Sequence, residues 1–497
     1  MFKKAHSNPA VDIKRKCKSM KSPTGQPQLN KSNRSALAKG LSGRLNRRQC
    51  LVLGLMLFGL FFGAGNTIFP VRLGFAAGPD LLPAVLGFLL TGIGLPLLGV
   101  ISFALAQTGD LPGYAGVVGR PFALAYSVAL FLTIGPLFAI PRTATVAFEL
   151  TFPELPAARR PLPLFLFSLA FFALALYLAL KPAKLMPIIG KLLTPLFLVL
   201  ISLLLVTVFL FPANPVGLVP AQASISSGPF LAGLTSGYDT MDALASLTFG
   251  SLVITNLKAL GVHEPGRRAV ETLKSGLIML VTMSVIYSSL SYLGATTAGL
   301  VAAPTANGGQ ILALVSRHYF GWPGHVLLAA IITVACLKTA IGLIASVADM
   351  FRGLFPRLKG WTYRRWVALF ALLSFAIANF GLDKILVFSE PVLLFLYPLT
   401  IVLICFHLLH CLIPLRPQAF QLTLILTGLV ALPEALKKVS LLAATPFWKN
   451  CLAKLTVYLP LFDQGFGWLI PAGLGLGISL LWLRQRPAEN IGGSRST

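Results

Sequence analysis

The chain has 497 residues, of which 56% are hydrophobic and 11% charged, with 41 Lys and Arg against 15 Asp and Glu. Soluble proteins are about 25% charged, so this composition excludes an ordinary soluble protein, and the apolar content excludes a wholly disordered one. The net charge of +26 suits a nucleic-acid-binding protein, but so hydrophobic a chain does not. A polytopic membrane protein with its basic residues on the cytoplasmic side accounts for both properties.

Residues 1–49 form a separate segment by composition, with thirteen Lys and Arg and a single acid, Asp12. We predict a disordered, solvated cytoplasmic tail, and the alternative is a tail that lies on anionic lipid. The first apolar run begins near Cys50, which is too late for a cleavable signal peptide, and it is also too long for one. The six cysteines contain no CxxC pair and predict neither a zinc site nor a disulfide framework.

From Cys50 onward the chain becomes a series of apolar runs. A helix that spans a membrane needs about 20 mostly apolar residues. Twelve segments meet this requirement and predict an all-α polytopic membrane protein. They are residues 50–72, 81–106, 121–147, 162–180, 187–211, 229–256, 276–300, 324–348, 365–381, 386–411, 419–436 and 466–483.

The basic residues predict which side of the membrane each loop faces. With twelve spans and the N-terminus in the cytoplasm, 30 of the 41 Lys and Arg lie on the cytoplasmic side, together with a C-terminal tail at 486–497. The loop before the twelfth span contradicts this pattern, because four lysines fall outside: Lys437, Lys438, Lys449 and Lys454. The eleventh span, which Pro433 and Glu434 interrupt, is therefore the weakest part of the prediction.

Two of the spans contain residues that break helices. The first has Gly63-Ala64-Gly65-Asn66 at its middle, and the sixth has Ser236-Gly237-Tyr238-Asp239-Thr240 before Asp242. Because backbone groups in lipid must be satisfied within their own segment, an irregular backbone at this depth has to line a cavity. The sequence therefore predicts that both segments contribute to one buried binding site.

The spacing of the two breaks predicts internal repeats. They lie five spans apart, as they would in two five-helix repeats, 50–211 and 229–411, with 419–485 as helices eleven and twelve. An odd number of helices gives the repeats inverted topology, and paired interrupted spans indicate a transporter site. Helix ends in such a site suit a zwitterion, since free N–H groups attract a carboxylate and free carbonyls attract an ammonium. No Ser/His/Asp motif and no metal-binding histidine pattern indicates an enzyme.

Several motifs then resemble a known family. They are LMLFGLFFGAGNTIFP (55–70), GPLFAIPRTATVAFE (135–149), GYDTMDALASLTFG (237–250), ANGGQIL (306–312), ACLKTAIGL (335–343), NFGLDKI (379–385) and EPVLLFLYPL (390–399). Over about residues 45–485 the chain resembles the leucine/isoleucine/valine:cation symporters, branched-chain amino acid carriers of the amino acid–polyamine–cation superfamily. The resemblance implies a LeuT-type fold that imports leucine, isoleucine and valine across the cell membrane. It also implies coupling to Na+ or H+. We expect no other cofactor, no nucleic acid and no obligatory protein partner.

The resemblance also implies roles for residues at the two breaks. The N–H groups of Ala64 and Gly65 would hold the substrate carboxylate, and carbonyls near Phe61 and in the sixth span would receive its ammonium. The full implied substrate set is Phe61, Gly63, Ala64, Gly65, Asn66, Ser236, Gly237 and Tyr238. A sodium ion, the one metal implied, would lie between the first and eighth spans, at Gly59, Phe62, Ala335, Lys338 and Thr339.

Three charged residues depart from the family's pattern. Lys338 occupies the middle of an apolar helix, where a charge costs roughly 2.5–3.5 kcal/mol on insertion scales. We expect its ammonium to take the place of sodium, either as a fixed charge or as a proton carrier, and the alternative is snorkelling to the interface. Asp239 and Glu390 either face water at the rim of the site or pair with Lys338. Of the charged residues that match the family, Asp242 is expected to cap the second half-helix and Arg142 to act as a gate or an interfacial anchor.

We therefore predict a secondary transporter that imports branched-chain amino acids by alternating access. The alternative within this class is a sodium-independent carrier or exchanger of another amino acid. A membrane-embedded enzyme would need a cluster of carboxylates and histidines at one face, which the sequence does not display. A channel would need a pore lined by repeated polar residues.

Overall fold

The computed structural model describes residues 44–485 except 107, 154, 223–224, 226–227, 298, 301–306, 356–359, 414, 438–444 and 460. Most of the predicted N-terminal tail and the C-terminal tail at 486–497 lie outside these residues. Within them all regular secondary structure is helical. The helix α1 begins at Arg47, after an Asn46–Gln49 capping box in which each side chain accepts the other's backbone N–H.

The first half of the chain contains the following helices: α1 (Arg47–Phe61), α2 (Ala64–Ala77), α3 (Leu81–Leu89), α4 (Leu95–Leu105), α5 (Leu111–Ala115), α6 (Arg120–Leu132), α7 (Ala139–Thr151), α8 (Pro161–Ala179) and α9 (Thr194–Leu210). Turns of π-helix at Leu90–Gly94, Thr133–Leu137 and Ile188–Leu193 precede α4, α7 and α9. The second of these is kinked at Gly135, which is followed by Pro136.

The second half contains these helices: α10 (Pro229–Tyr238), α11 (Asp242–Ala259), α12 (Pro265–Thr296), α13 (Gly308–Phe320), α14 (Trp322–Leu354), α15 (Tyr363–Ala378), α16 (Leu382–Leu412), α17 (Pro417–Leu436), α18 (Pro446–Tyr458) and α19 (Leu469–Gln485). Every predicted span coincides with one or more helices. The helix at the seventh span begins earlier than predicted, at Pro265 rather than 276. Pro433 lies within α17 and does not end it.

Eight helical segments among the described residues are long and apolar enough to cross a membrane. They correspond to all the predicted spans except the first, sixth, ninth and twelfth. The first and sixth are divided by their breaks into helices of 15, 14, 10 and 18 residues. The ninth and twelfth form helices of only 16 and 17 residues. The structure therefore supports a multi-pass membrane protein, while the number of crossings stays a prediction.

Glycines allow the broken spans to pack very closely on their neighbours. A Cβ on Gly74 of α2 would overlap the backbone of Ser291 in α12, and one on Gly233 of α10 would overlap the backbone of Ala84 in α3. Small residues at such contacts let helix backbones approach each other inside a membrane. These contacts fix the two broken spans beside α12 and α3, and so set the positions of the two breaks.

Candidate functional site

The first break separates α1 from α2. Phe62 and Gly63 leave the helical conformation, with ψ angles of 89° and −164°. Gly63 has no side chain to cap α2, and its own N–H instead donates to Asn66 Oδ1 at 3.2 Å, while Thr67 Oγ1 donates to the Gly63 carbonyl at 3.1 Å. The N–H groups of Ala64 and Gly65 belong to the first turn of α2 and have no acceptor within their helix. This helix end can therefore bind an anion.

The second break separates α10 from α11 at Asp239, Thr240 and Met241. Met241 has a left-handed backbone with φ of 59°, which costs a non-glycine residue roughly 1–2 kcal/mol. The last carbonyls of α10 are used within this turn. Thr240 Oγ1 donates to the Gly237 carbonyl at 2.8 Å, and the N–H of Met241 donates to the Tyr238 carbonyl at 3.0 Å.

The two breaks face one cavity of about 100 Å³. Its polar wall comes from four parts of the chain, namely both breaks, α7 and α14. Its apolar wall can surround an aliphatic side chain. The polar and small lining residues are Gly63, Gly65, Asn66, Thr240, Asp242, Arg142, Thr143 and Thr339; the apolar ones include Leu60, Phe61, Ile134, Phe138, Leu244, Phe249, Leu343 and Leu393.

A hydrogen-bonded group connects the two breaks across this cavity. Asn66 Nδ2 donates to Asp242 Oδ2, and it also donates to the hydroxyl of Tyr287 in α12 at 2.6 Å. All three side chains are buried. Asn66 thus holds its own break, the start of α11 and the middle of α12 together. Asp242 was expected to cap α11, but it is the first residue within that helix and its carboxylate faces Asn66 instead.

Arg142 brings a basic side chain to the wall of the cavity. A Cβ on Gly65 would lie 3.5 Å from Arg142 Nη2, so the guanidinium stands beside the first turn of α2. Its central carbon is 5.4 Å from the centre of the Phe138 ring. The Arg142 guanidinium and the Asp242 carboxylate also interact electrostatically. The wall of the cavity therefore contains one basic and one acidic side chain.

A wider vestibule of about 740 Å³ lies against this cavity and shares Phe138, Arg142, Met241 and Leu393 with it. Its other lining residues include charged side chains from α2, the second break, α16 and α17: Arg72, Asp239, Glu390, Glu434 and Lys437. Asp239 and Glu390 therefore lie at the rim of the site, in the wall of the vestibule, as one of the two interpretations of the sequence predicted. The other interpretation, a pair with Lys338, is not what the structure has.

Lys338 is fully buried in α14. Its Nζ lies 3.9 Å from the ring centre of Phe197 and 5.3 Å from that of Phe58, and it has no hydrogen-bond partner among the described residues. A Cβ on Gly59 would lie 3.5 Å from Lys338 Cδ, which places the side chain against the end of α1. Snorkelling is excluded for this side chain, because no part of it reaches the surface.

The other residues of the predicted cation site surround the same place. Thr339 Oγ1 donates to the Leu60 carbonyl at 3.1 Å and lies 3.4 Å from the Ala335 carbonyl. Phe62 stacks on Phe58, with ring centres 5.1 Å apart. The structure thus brings together the five residues that the sequence grouped around a cation.

Three residues of the predicted substrate set lie elsewhere. Ser236, Gly237 and Tyr238 belong to α10, which remains helical to Tyr238, and none of them lines the cavity. Gly237 packs on Phe88 and Thr91, while the Tyr238 ring lies 4.1 Å from that of Tyr397 and faces the vestibule. The structure places these three outside the cavity because the break lies further along the chain, where Thr240, Met241 and Asp242 line the cavity.

The sequence interpretation missed Arg142, Asp242 and Tyr287 as members of the site. Arg142 and Asp242 both lie in family-like motifs, PRTAT and GYDTMDALA, so their positions in those motifs were the available signal. Tyr287 gave none, since it lies in an apolar helix without a motif. No group of three or more His, Cys, Asp or Glu side chains that could hold a metal ion occurs in the described part of the chain.

Comparisons with known proteins give the following matches. The family model described as branched-chain amino acid transport protein matches residues 46–486. The chain is 41% identical to the branched-chain amino acid permease BrnQ of Lactobacillus delbrueckii subsp. lactis, over 86% of this chain and 95% of the permease. It is 40% identical to the permease BraB of Bacillus subtilis, over 89% and 98%. It is 38% identical to the branched-chain amino acid transport system 2 carrier protein of Pseudomonas aeruginosa, over 89% and 98%.

Two solved structures show the same fold at low sequence identity. The nucleobase-cation-symport-1 family transporter MHP1 aligns with a TM-score of 0.53 and 12% identity, over 88% of this chain and 92% of the transporter. MhsT, solved in complex with L-phenylalanine, aligns with a TM-score of 0.50 and 16% identity, over 87% and 98%. These likenesses support the LeuT-type fold predicted from the sequence.

Proposed function

Because the chain belongs to the family of branched-chain amino acid transport proteins, we propose that it imports leucine, isoleucine and valine by alternating access. The observation that carries the proposal is the cavity at which the two helix breaks meet. Its wall combines charged groups and a free helix end with the apolar side chains of Leu60, Phe249 and Leu343. A zwitterionic head group with a branched aliphatic side chain suits this combination.

The proposed architecture is twelve spans, of which the first ten form two inverted repeats. The packing of the broken spans supports it. The helix α12, at the seventh span, packs along both α1 and α2, whereas α10 and α11 pack along α3 and α4 of the second span. If spans one and two correspond to spans six and seven, the packing of span seven on the broken span one is the counterpart of the packing of span two on the broken span six. An inverted repeat would produce this reciprocal packing.

We propose that both termini lie in the cytoplasm of the cell. The support is the distribution of charge, since 30 of the 41 Lys and Arg then fall on one side. In this orientation the vestibule, which is lined by the end of α17 and by Phe462, Gln464 and Gly465, would open to the outside. That opening would admit substrate from the medium, in agreement with import.

For the coupling ion, we propose that Lys338 takes the place of sodium. Its ammonium lies among the residues grouped around a cation, against Gly59 and the ring of Phe197. Two unit charges 4 Å apart repel each other by about 4 kcal/mol even at an effective dielectric constant of 20. A sodium ion bound beside this ammonium would therefore be strongly disfavoured, and a proton is the remaining coupling ion of the two.

Two transport experiments test these proposals. In proteoliposomes loaded with unlabelled amino acid, leucine, isoleucine and valine should drive counterflow of labelled leucine, whereas lysine and glutamate should not. A protein that shows no counterflow with any amino acid would not be the proposed carrier. Leucine uptake should also continue when Na+ is replaced by choline, and its loss on that replacement would contradict the role given to Lys338.

A further inference from the structure

We propose that Arg142 and Asp242 recognise the two charged ends of the transported amino acid, Arg142 the carboxylate and Asp242 the ammonium. The inference rests on the proposed transport of an α-amino acid and names the side chains that select for it. It replaces the carbonyls of Ser236, Gly237 and Tyr238, which the sequence had favoured for the ammonium. Those residues do not line the cavity, and the Gly237 and Tyr238 carbonyls accept hydrogen bonds from Thr240 and Met241.

The carboxylate position is defined by Arg142 together with the start of α2. The guanidinium lies beside Gly65, whose N–H belongs to the unsatisfied first turn of the helix. Among the described residues, Arg142 has a ring contact with Phe138 but no hydrogen-bonded carboxylate. A guanidinium presents its N–H groups in a fixed fork that fits a carboxylate. The guanidinium and the helix end would therefore bind the same carboxylate from two directions.

The ammonium position is defined by the Asp242 carboxylate. Asp242 is only 6% exposed, and its carboxylate accepts hydrogen bonds from Asn66 Nδ2, at Oδ2, and from the side chain of Thr240. An ionised carboxylate accepts several hydrogen bonds, so acceptor capacity remains for a ligand. Asn66 is neutral and orients the carboxylate without neutralising it. Besides Arg142, the ammonium of an amino acid in the cavity would supply an opposite charge to this buried carboxylate.

The arrangement predicts strict selection at both ends of the ligand. A hydroxy acid lacks the charge that Asp242 requires, and an amine or amino alcohol lacks the one that Arg142 requires. A site that relied on backbone groups alone would retain this selectivity after either side chain was neutralised. Measuring the selectivity of the variants therefore separates the two possibilities, whereas measuring the selectivity of the wild type does not.

The test measures inhibition of labelled-leucine counterflow by three ligands: leucine, 4-methyl-2-hydroxypentanoate and leucinol. In Asp242→Asn we expect the inhibition constant of leucine to rise at least about tenfold, while that of the hydroxy acid stays within about twofold of wild type. In Arg142→Gln the constant of leucine should rise by a similar factor while that of leucinol stays unchanged. The matched controls are Asp239→Asn and Arg72→Gln, whose parent side chains line the vestibule and not the cavity. Both should keep the wild-type ratios.

Variants that keep the wild-type preference for leucine over both analogues would overturn the assignment. So would a monodisperse Asp242→Asn that has lost affinity for leucine and for the hydroxy acid equally. If that variant is not monodisperse, Asp242→Ser provides the same comparison, since it also removes the charge. Leucine counterflow by the wild-type protein separates this inference from the proposed function, because that counterflow depends on neither substitution.

Discussion

Replacing Asn66 by alanine should disrupt the site more than any other single change to a neutral side chain there. The change removes the hydrogen bonds to Asp242 and Tyr287 and the acceptor for the Gly63 N–H. A buried group left without its partner costs about 1–3 kcal/mol, and more when it is charged. Loss of the acceptor for the Gly63 N–H adds about 1 kcal/mol. Because these contacts share one side chain and are not additive, we expect a total of about 3–5 kcal/mol.

The matched control for Asn66→Ala is Thr67→Val. Thr67 is also fully buried in the next position of α2, but its hydroxyl makes a single hydrogen bond, to the Gly63 carbonyl. That change should cost only about 1 kcal/mol. Thermal unfolding of the two purified variants in the same detergent gives the comparison, and added leucine should stabilise Thr67→Val but not Asn66→Ala. Equal melting temperatures for the two would refute the idea that Asn66 holds the breaks together.

Three further changes test other parts of the structure. Gly74→Ala should sharply reduce the yield of folded protein, because its Cβ overlaps the backbone of Ser291. The control Gly353→Ala, whose Cβ meets nothing within 4 Å, should not reduce the yield. Equal yields of the two variants by size-exclusion chromatography would contradict the packing. Lys338→Thr puts a hydroxyl where the ammonium lies, so leucine uptake should gain a dependence on Na+. If the ratio of uptake in Na+ to uptake in choline is unchanged, Lys338 does not take the place of sodium. Glu434→Ala removes the acceptor 3.0 Å from the N–H of Gly467. Hydrogen exchange of residues 462–468 should therefore accelerate, while that of α14 stays constant. If residues 462–468 remain as protected as in the wild type, this hydrogen bond does not stabilise the vestibule wall.

The sequence predicted the helical segments well because the membrane imposes a length and a composition that a single run of residues reveals. The breaks were also predictable, since GAGN interrupts a helix and an irregular backbone in lipid has to line a cavity. The position of the second break within its segment was not predictable. Gly237 suggested an irregular backbone, but it serves close packing on α3, and the left-handed residue is Met241, a type that rarely adopts that conformation.

The site itself was only partly predictable, because its members come from helices far apart in the chain. The motifs located Gly63, Gly65, Asn66 and Thr339, all of which line the cavity. No spacing rule connects Arg142 with Asp242, since their proximity depends on how α7 packs against the broken spans. The burial of Lys338 was expected from its apolar flanks, whereas its contact with the Phe197 ring required the packing of α9 beside α1.

The close glycine contacts have a mechanical consequence. Backbones that touch without long side chains between them leave little room for sliding, so the two broken spans are fastened to α12 and α3. We expect the movement that opens the cavity to occur elsewhere, between this group of helices and the helices α7 and α14, which also line the cavity. Asp242 lies on the first body and Arg142 on the second. A zwitterion bound at both ends would therefore link the two moving groups of helices. This link would be absent from the empty carrier.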